Sequence, residues 1–302
     1  MILLVLLALT VIGCGGGGSA PMAAPDGPFA VGSASFTFVD HSRPTAENNG
    51  VPAKDSRTLR TVVYYPSSAD RRFPLIVFAH GFTGVGRIYN VILQAWAEAG
   101  YVVAAPDFPL SSGGTPGGPS SGDYINQPAD ESFLIDELLE MNGDAASPLY
   151  GLIDPQRIGA SGQSLGGMTT FGLAFNICCG DSRIRAAVPM AGQLAPFPGG
   201  EYDPSIGPPV LIIHGDVDDT VPYSSATEAY DLLLPPKLLL THLGGGHVSP
   251  YVGSRSAPAV AATIESSIAF FDHFLKHERG ARERLLDVGT RAGVVLEYDL
   301  GR

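Results

Sequence analysis

In the stretch RIGASGQSLGG, Arg157 to Gly167, a serine hydroxyl at Ser164 stands among glycines directly after a short apolar run. Such a hydroxyl attacks a carbonyl carbon only when a histidine accepts its proton, and that histidine needs a carboxylate to fix its tautomer and stabilise the imidazolium. Partners of both kinds follow in the chain. LIIHGDVDDTVPY carries Asp216, Asp218 and Asp219, and LGGGHVSPY carries His247. The chain order is serine, acid, histidine. On local sequence the choice of aspartate stays open, because each can equally cap the turn or helix that follows. His80, His214, His242, His273 and His277 lie at strand ends or on the last helix and read as packed or surface groups.

A serine presented on such a turn requires a strand before it and a buried helix after it. Arg157–Ala160 and Leu165–Phe175 meet that need, with Gly162 and Gly166 where the two backbones pass closely. Further strands are expected at Thr61–Tyr65, Leu75–Ala79, Tyr101–Ala105, Ala186–Met190, Val210–His214 and Lys237–Thr241. Helical patterns lie between them at Tyr89–Ala99, Ala129–Met141, Ser224–Leu234 and Ala257–Lys276. Apolar strands alternating with helices predict an α/β fold: a mostly parallel central sheet with helices on both faces. Trp96 shares a helical face with Leu93 and reads as core. The stretch Leu110–Gly122 reads as a mobile loop at the carboxyl end of a strand, where active-site rims lie in open α/β sheets.

The chain has 302 residues, of which 45% are hydrophobic, enough for one large catalytic domain. Its formal net charge of −12 argues against a nucleic-acid partner, which would need clustered Lys and Arg. Residues 1–13 read as a signal peptide, since the apolar run Ile2–Ile12 is too short to span a bilayer. The stretch VIGC resembles a bacterial lipobox, which implies cleavage before Cys14, lipid attachment to it, and an exported protein held on a membrane. Residues 14–29 then form the lipidated cysteine and a flexible tether, 30–279 the catalytic domain and 280–302 a C-terminal tail. The remaining cysteines, Cys178 and Cys179, are adjacent and offer no long-range framework; a bridge between them or two buried thiols both stay open.

From about Phe36 to Leu275 the chain resembles an α/β-hydrolase. Gly215, Asp218, Val221 and Pro222 match that family's GxxDxxVP-like turn, so the resemblance assigns the acid to Asp218. His247 follows three glycines after a strand, as the family histidine does. One oxyanion donor is expected at the backbone N–H of Leu165, directly after the serine. FAHGFTG, Phe78 to Gly84, follows the strand whose loop supplies the second, and the resemblance assigns that donor to Phe82. HGFTG is similar to the turn of cutinase-like polyester hydrolases, and FAHGF with HGDxDxxVP to chlorophyllase-like and platelet-activating-factor acetylhydrolase-like esterases. Leu165 stands where cutinase-like enzymes usually carry Met, and VPMAGQLAPF lacks their Trp.

These readings converge on a serine carboxylic-ester hydrolase with catalytic Ser164, His247 and Asp218, needing no cofactor and no metal. Only Ala191–Pro208 separates two successive strands, too little for a cap domain, so the cleft is expected to be open to short-chain or bulky neutral esters, with polyesters as an extension. Phe82, Phe108, Phe197 and Tyr251 are the expected apolar contacts for a small or polymeric ester. The rival readings are a serine peptidase or a lipase on the same residues, and a binding lipoprotein that keeps the fold without catalysis.

Overall fold

The computed structural model describes residues 28–67 and 71–301. The expected signal peptide, Cys14 and nearly all of the tether lie outside the described residues. The strands are β1 (Val31–Asp40), β2 (Arg57–Pro66), β3 (Phe73–Ala79), β4 (Val102–Asp107), β5 (Ile153–Gln163), β6 (Ile184–Met190), β7 (Val210–Gly215), β8 (Lys237–His242) and β9 (Val294–Asp299). They form one sheet in the order β1-β2-β4-β3-β5-β6-β7-β8-β9. Pairing is parallel from β4 through β3 and β5 to β8, while β1, β2 and β9 join antiparallel at the two edges.

Helices α1 (Asn90–Glu98), α2 (Gln127–Gly143), α3 (Leu165–Phe175), α4 (Ser224–Leu232), α5 (Pro258–Phe271) and α6 (Ala281–Val288) cover both faces. Successive residues of a strand point to opposite faces, and here both faces are buried, so the central strands read as unbroken apolar runs. Along β3, Ile76 and Phe78 pack with Trp96 of α1 and Phe270 of α5, whereas Leu75 and Val77 pack with Leu134 of α2 and Phe171 of α3. Trp96 is fully buried, as expected for core, and its indole N–H donates to Ser267 Oγ at 2.8 Å.

Three elements differ from the sequence expectation. β1 is an additional edge strand, only half-buried, whose glycine and serines give it little strand signal. The 280–302 segment is not a tail: α6 places Leu285 and Val288 in the α1/α5 core layer, and β9 pairs with β8 through Leu296 opposite Leu240. Leu110–Gly122 is laced to its surroundings rather than a free loop. Asn48 Nδ2 donates to the carbonyls of Pro116 at 2.8 Å and Gly118 at 2.7 Å, and Thr83 N–H donates to Ser111 O at 2.9 Å. Cys178 and Cys179 form a disulfide in the turn after α3, where Cys178 is exposed rather than buried.

The connection at 191–209 contains no helix, so no cap covers the sheet between β6 and β7. Among the described residues no helix is long and apolar enough to cross a membrane. Under the β1–β2 turn lies a buried charge cluster. Arg57 donates to Asp130 at 2.7 Å twice and to Asp123 at 2.9 and 3.1 Å, which uses four of its five N–H donors. Glu131, the next residue on α2, is buried beside this cluster with neither carboxyl oxygen hydrogen-bonded.

Candidate active site

Ser164 sits between β5 and α3 with φ 58° and ψ −117°, a conformation that non-glycine residues adopt only under constraint. Ser164 N–H donates to Met190 O at 2.8 Å, which ties the turn to the end of β6. A side chain at Gly166 would place its Cβ 1.9 Å from Ala79 O, and one at Gly162 would meet Gly166 O at 2.3 Å. The glycines let helix, turn and neighbouring strand close on one another, and that closure holds the serine at the carboxyl edge of the sheet.

Across from it, the loop after β8 brings His247 Nε2 to 2.8 Å from Ser164 Oγ, and His247 Nδ1 to 2.8 Å from Asp218 Oδ2. Asp218 lies in the turn after β7, with its other oxygen accepting the N–H groups of Thr220 at 2.9 Å and Val221 at 2.8 Å. Burial pushes the Asp218 pKa up, but hydrogen bonds from His247, Val221 and Thr220 outweigh it and hold the carboxyl below its ordinary value. An ionised Asp218 only accepts, so His247 carries its proton on Nδ1 and leaves Nε2 free to take one from Ser164. The competing aspartates are elsewhere engaged. Asp216 Oδ1 accepts Gly244 N–H at 2.6 Å, bracing the histidine loop, and Asp219 is exposed beside Thr220.

Three residues outside the expected set support these groups. Gln163, immediately before the serine, donates from Nε2 to His247 O at 2.8 Å and accepts the Tyr89 hydroxyl at 2.8 Å; Tyr89 in turn accepts Gly81 N–H at 3.2 Å. The chain of contacts ties the Phe82 loop to the His247 loop. Gln163 occupies a variable place in the GxSxG pattern and Tyr89 is remote in sequence, so only their positions beside known turns could have pointed to them. His214, read as a packed histidine, is fully buried and also touches the acid: its Nε2 lies 2.9 Å from Val221 O and 3.3 Å from Asp218 Oδ2.

The first N–H groups of α3, Leu165 among them, have no intrahelical partner, and the Phe82 N–H meets no backbone acceptor among the described residues. His80 fixes the loop that carries Phe82. Its Nδ1–H donates to Gly81 O at 2.7 Å and its Nε2 accepts Phe108 N–H at 3.1 Å, a neutral ring whose pKa burial lowers. The Phe82 ring is 42% exposed, as a contact residue requires. The other expected contacts are corrected. Phe108 is buried against His80 with ring centroids 5.0 Å apart, Tyr251 is buried with its hydroxyl donating to Ile213 O at 3.0 Å, and Phe197 packs over Gly172 of α3. An aromatic in a loop beside a motif points inward whenever the neighbouring helix leaves a glycine-sized recess for it. Val217 and Val248, on the acid and histidine turns, are instead exposed.

A strained serine turn between a parallel strand and a helix, followed in chain order by an acid turn and a histidine loop, defines an α/β-hydrolase. The family model described as PETase, PET hydrolase-like, matches residues 17–279, and the chain belongs to that family, on its cutinase-like polyester hydrolase branch. It is similar to a cutinase of Thermobifida alba, 24% identical over 241 residues that cover 78% of this chain and 72% of the cutinase. A bis(hydroxyethyl) terephthalate hydrolase of Streptomyces coelicolor is 24% identical over 238 residues, 78% of this chain and 68% of that enzyme. A poly(3-hydroxyoctanoate) depolymerase of Pseudomonas fluorescens is 30% identical over 169 residues, 54% of this chain and 58% of the depolymerase. The protein is an enzyme of the class that hydrolyses carboxylic-ester bonds.

Proposed function

We propose that this chain hydrolyses neutral carboxylic esters, short-chain, bulky and polymeric, through an acyl-enzyme on Ser164. The observation that carries this reading is the unbroken contact from Ser164 Oγ through the His247 ring to Asp218, 2.8 Å at each step, behind a serine in strained backbone. Ser164 Oγ forms the bond to the ester carbonyl carbon while its proton passes to His247 Nε2. The oxygen that becomes negative is held by the N–H groups of Phe82 and Leu165. The carbon–oxygen bond to the alcohol then breaks, and the His247 proton leaves with the alcohol. Water, deprotonated by the same nitrogen, attacks the acyl group; the acid departs and the proton returns to Ser164. Asp218 keeps the His247 tautomer and stabilises the imidazolium throughout.

The uncapped β6–β7 connection and the exposed Phe82, Val217 and Val248 favour substrates too wide for a closed pocket, among them a polyester and a bulky aromatic diester of the kinds named for the relatives. Export through residues 1–13 and anchoring through Cys14 complete the proposal. The test is an organophosphonate, expected to label Ser164 alone by peptide mass mapping, combined with p-nitrophenyl esters, peptides and polyester films on wild type and Ser164→Ala. Loss of turnover on the order of 10⁴-fold in the variant is expected. A label on another serine, or amides cleaved in preference to esters, overturns the reading.

A further inference from the structure

At the same carboxyl edge of the sheet, on the far side of the loop that carries Phe82, lies a groove of about 510 Å³ between the β1–β2 turn and the segment after β4. Lys54 and Arg60 both line it. Both side chains are exposed, and among the described residues neither has an ion-pair or hydrogen-bond partner, although the protein as a whole carries a net charge of −12. One carboxylate, Asp107, shares the lining; it stands cross-strand from Arg60, and its Oδ1 is already engaged by Gly86 N–H at 2.9 Å. The groove is built rather than incidental. Asn48 and Asn49 stitch its two walls together at the carbonyls of Pro116, Gly117 and Gly118, and a Cβ at Gly113 would stand 2.5 Å from Thr83 O, against the Phe82 loop.

We infer that this groove is an anion subsite that receives the carboxylate end of an acyl chain whose ester carbonyl lies at Ser164. The inference rests on the ester-hydrolase reading of that serine and extends it to a substrate class: half-esters of dicarboxylic acids and carboxylate-ended oligomers. Each cleavage of a polyester chain leaves such an end, so the groove takes the product of one cut as the substrate of the next. The acyl half is the part held against the Phe82 loop, because its carbonyl oxygen is the one the loop's N–H receives, and the groove is lined by Val85, directly after that loop, and by Ser112 and Gly114 of the segment hydrogen-bonded to it. Strands in a sheet are about 4.8 Å apart, so β2, which carries Arg60, stands three spacings, about 14 Å, from the β5 strand that ends at the serine, and the Arg60 side chain shortens the span that the substrate must cover. Short dicarboxylates cannot bridge that separation and medium ones can. Two cations against one engaged carboxylate leave the groove net positive, which favours a single carboxylate over a neutral end.

The experiment compares kcat/KM, read as p-nitrophenolate release, for p-nitrophenyl hydrogen suberate with that for methyl p-nitrophenyl suberate, whose far ends are a carboxylate and its neutral methyl ester. In wild type the anionic ester is favoured, the preference is smaller for the glutarate pair, and rising salt erodes it. In Lys54→Gln/Arg60→Gln the anionic-to-neutral ratio falls about tenfold, about threefold to each cation. Titration of the suberate dianion, followed by NMR on wild type and the double variant, reads the subsite without turnover; binding is expected to weaken in the variant. An anionic-to-neutral ratio that is the same in both proteins, or suberate binding that the substitutions leave unchanged, overturns the subsite. Failure of wild type to hydrolyse either ester would instead overturn the ester-hydrolase reading, and the titration would still decide the groove.

Discussion

Replacing Glu131 with Gln should stabilise the protein, and by an amount that grows with pH. Glu131 is buried beside the Arg57 cluster, where Asp123 and Asp130 take four of the guanidinium's five N–H donors and none reaches Glu131, so its carboxyl has no ion pair and no hydrogen bond. Burial, assisted by the charge of Asp130, pushes its pKa well above the ordinary 4.5. A carboxyl whose folded pKa is raised contributes stability that is fully present below its unfolded pKa and is lost as pH rises toward the folded one. The limiting loss is about 1.4 kcal/mol per pH unit. For a domain of this size that slope corresponds to about 3 to 5 °C of Tm per unit. Urea or thermal unfolding of wild type and Glu131→Gln at pH 4, 5, 6 and 7 should therefore give curves that nearly meet at pH 4 and diverge above it. Asp130, raised by burial in its own right, is present in both proteins, but its charge acts on Glu131 only in wild type and so adds to the divergence. A difference between the two proteins that stays constant across this range would refute a buried, uncharged Glu131.

Asp218→Asn should lower kcat by on the order of 10⁴ while Asp216→Asn and Asp219→Asn cost far less, measured on p-nitrophenyl butyrate; equal losses would move the acid assignment. Gly166→Ala forces a Cβ to 1.9 Å from Ala79 O, a backbone atom that cannot rotate away, so urea unfolding should show destabilisation above about 3 kcal/mol or no folded protein at all. With no cap over the β6–β7 connection, p-nitrophenyl butyrate should exceed palmitate in kcat/KM, because an added methylene gains about 0.8 kcal/mol only where a wall buries it. Higher kcat/KM on palmitate, or activity only at a lipid interface, would place a lid over the cleft.

The contacts joining Ser164, His247 and Asp218 are legible in the chain because each sits on a turn whose backbone demands particular residues. Gly162 and Gly166 are required where Ala79 and the helix close in, and Gly215 has only 2.1 Å between its absent Cβ and Gly245 O. Such constraints leave a mark in the sequence. The central strands are equally legible, since burial on both faces removes polar residues from them. What is not legible acts across the fold. Gln163 and Tyr89 join two loops by side-chain hydrogen bonds between residues 74 positions apart, and no local spacing encodes that pairing. The inward turn of Phe108 and Tyr251 depends on cavities made by other elements, and the half-exposed edge strands β1 and β9 lack the continuous apolar pattern of the centre.

The antiparallel edges have a practical consequence for how the molecule can be held. The described chain enters where Phe29 N–H meets Glu98 O and its ring packs edge-on to Phe73, the first residue of β3. It leaves beside β8, because β9 runs back so that Asp299 stands opposite Lys237. Both ends therefore emerge at the pole where the parallel strands begin, and Ser164, His247 and the Lys54 groove open at the pole where they finish. A support, fusion partner or surface joined near Phe29 or Asp299 presents the cleft outward, toward bulk solvent or an opposing solid.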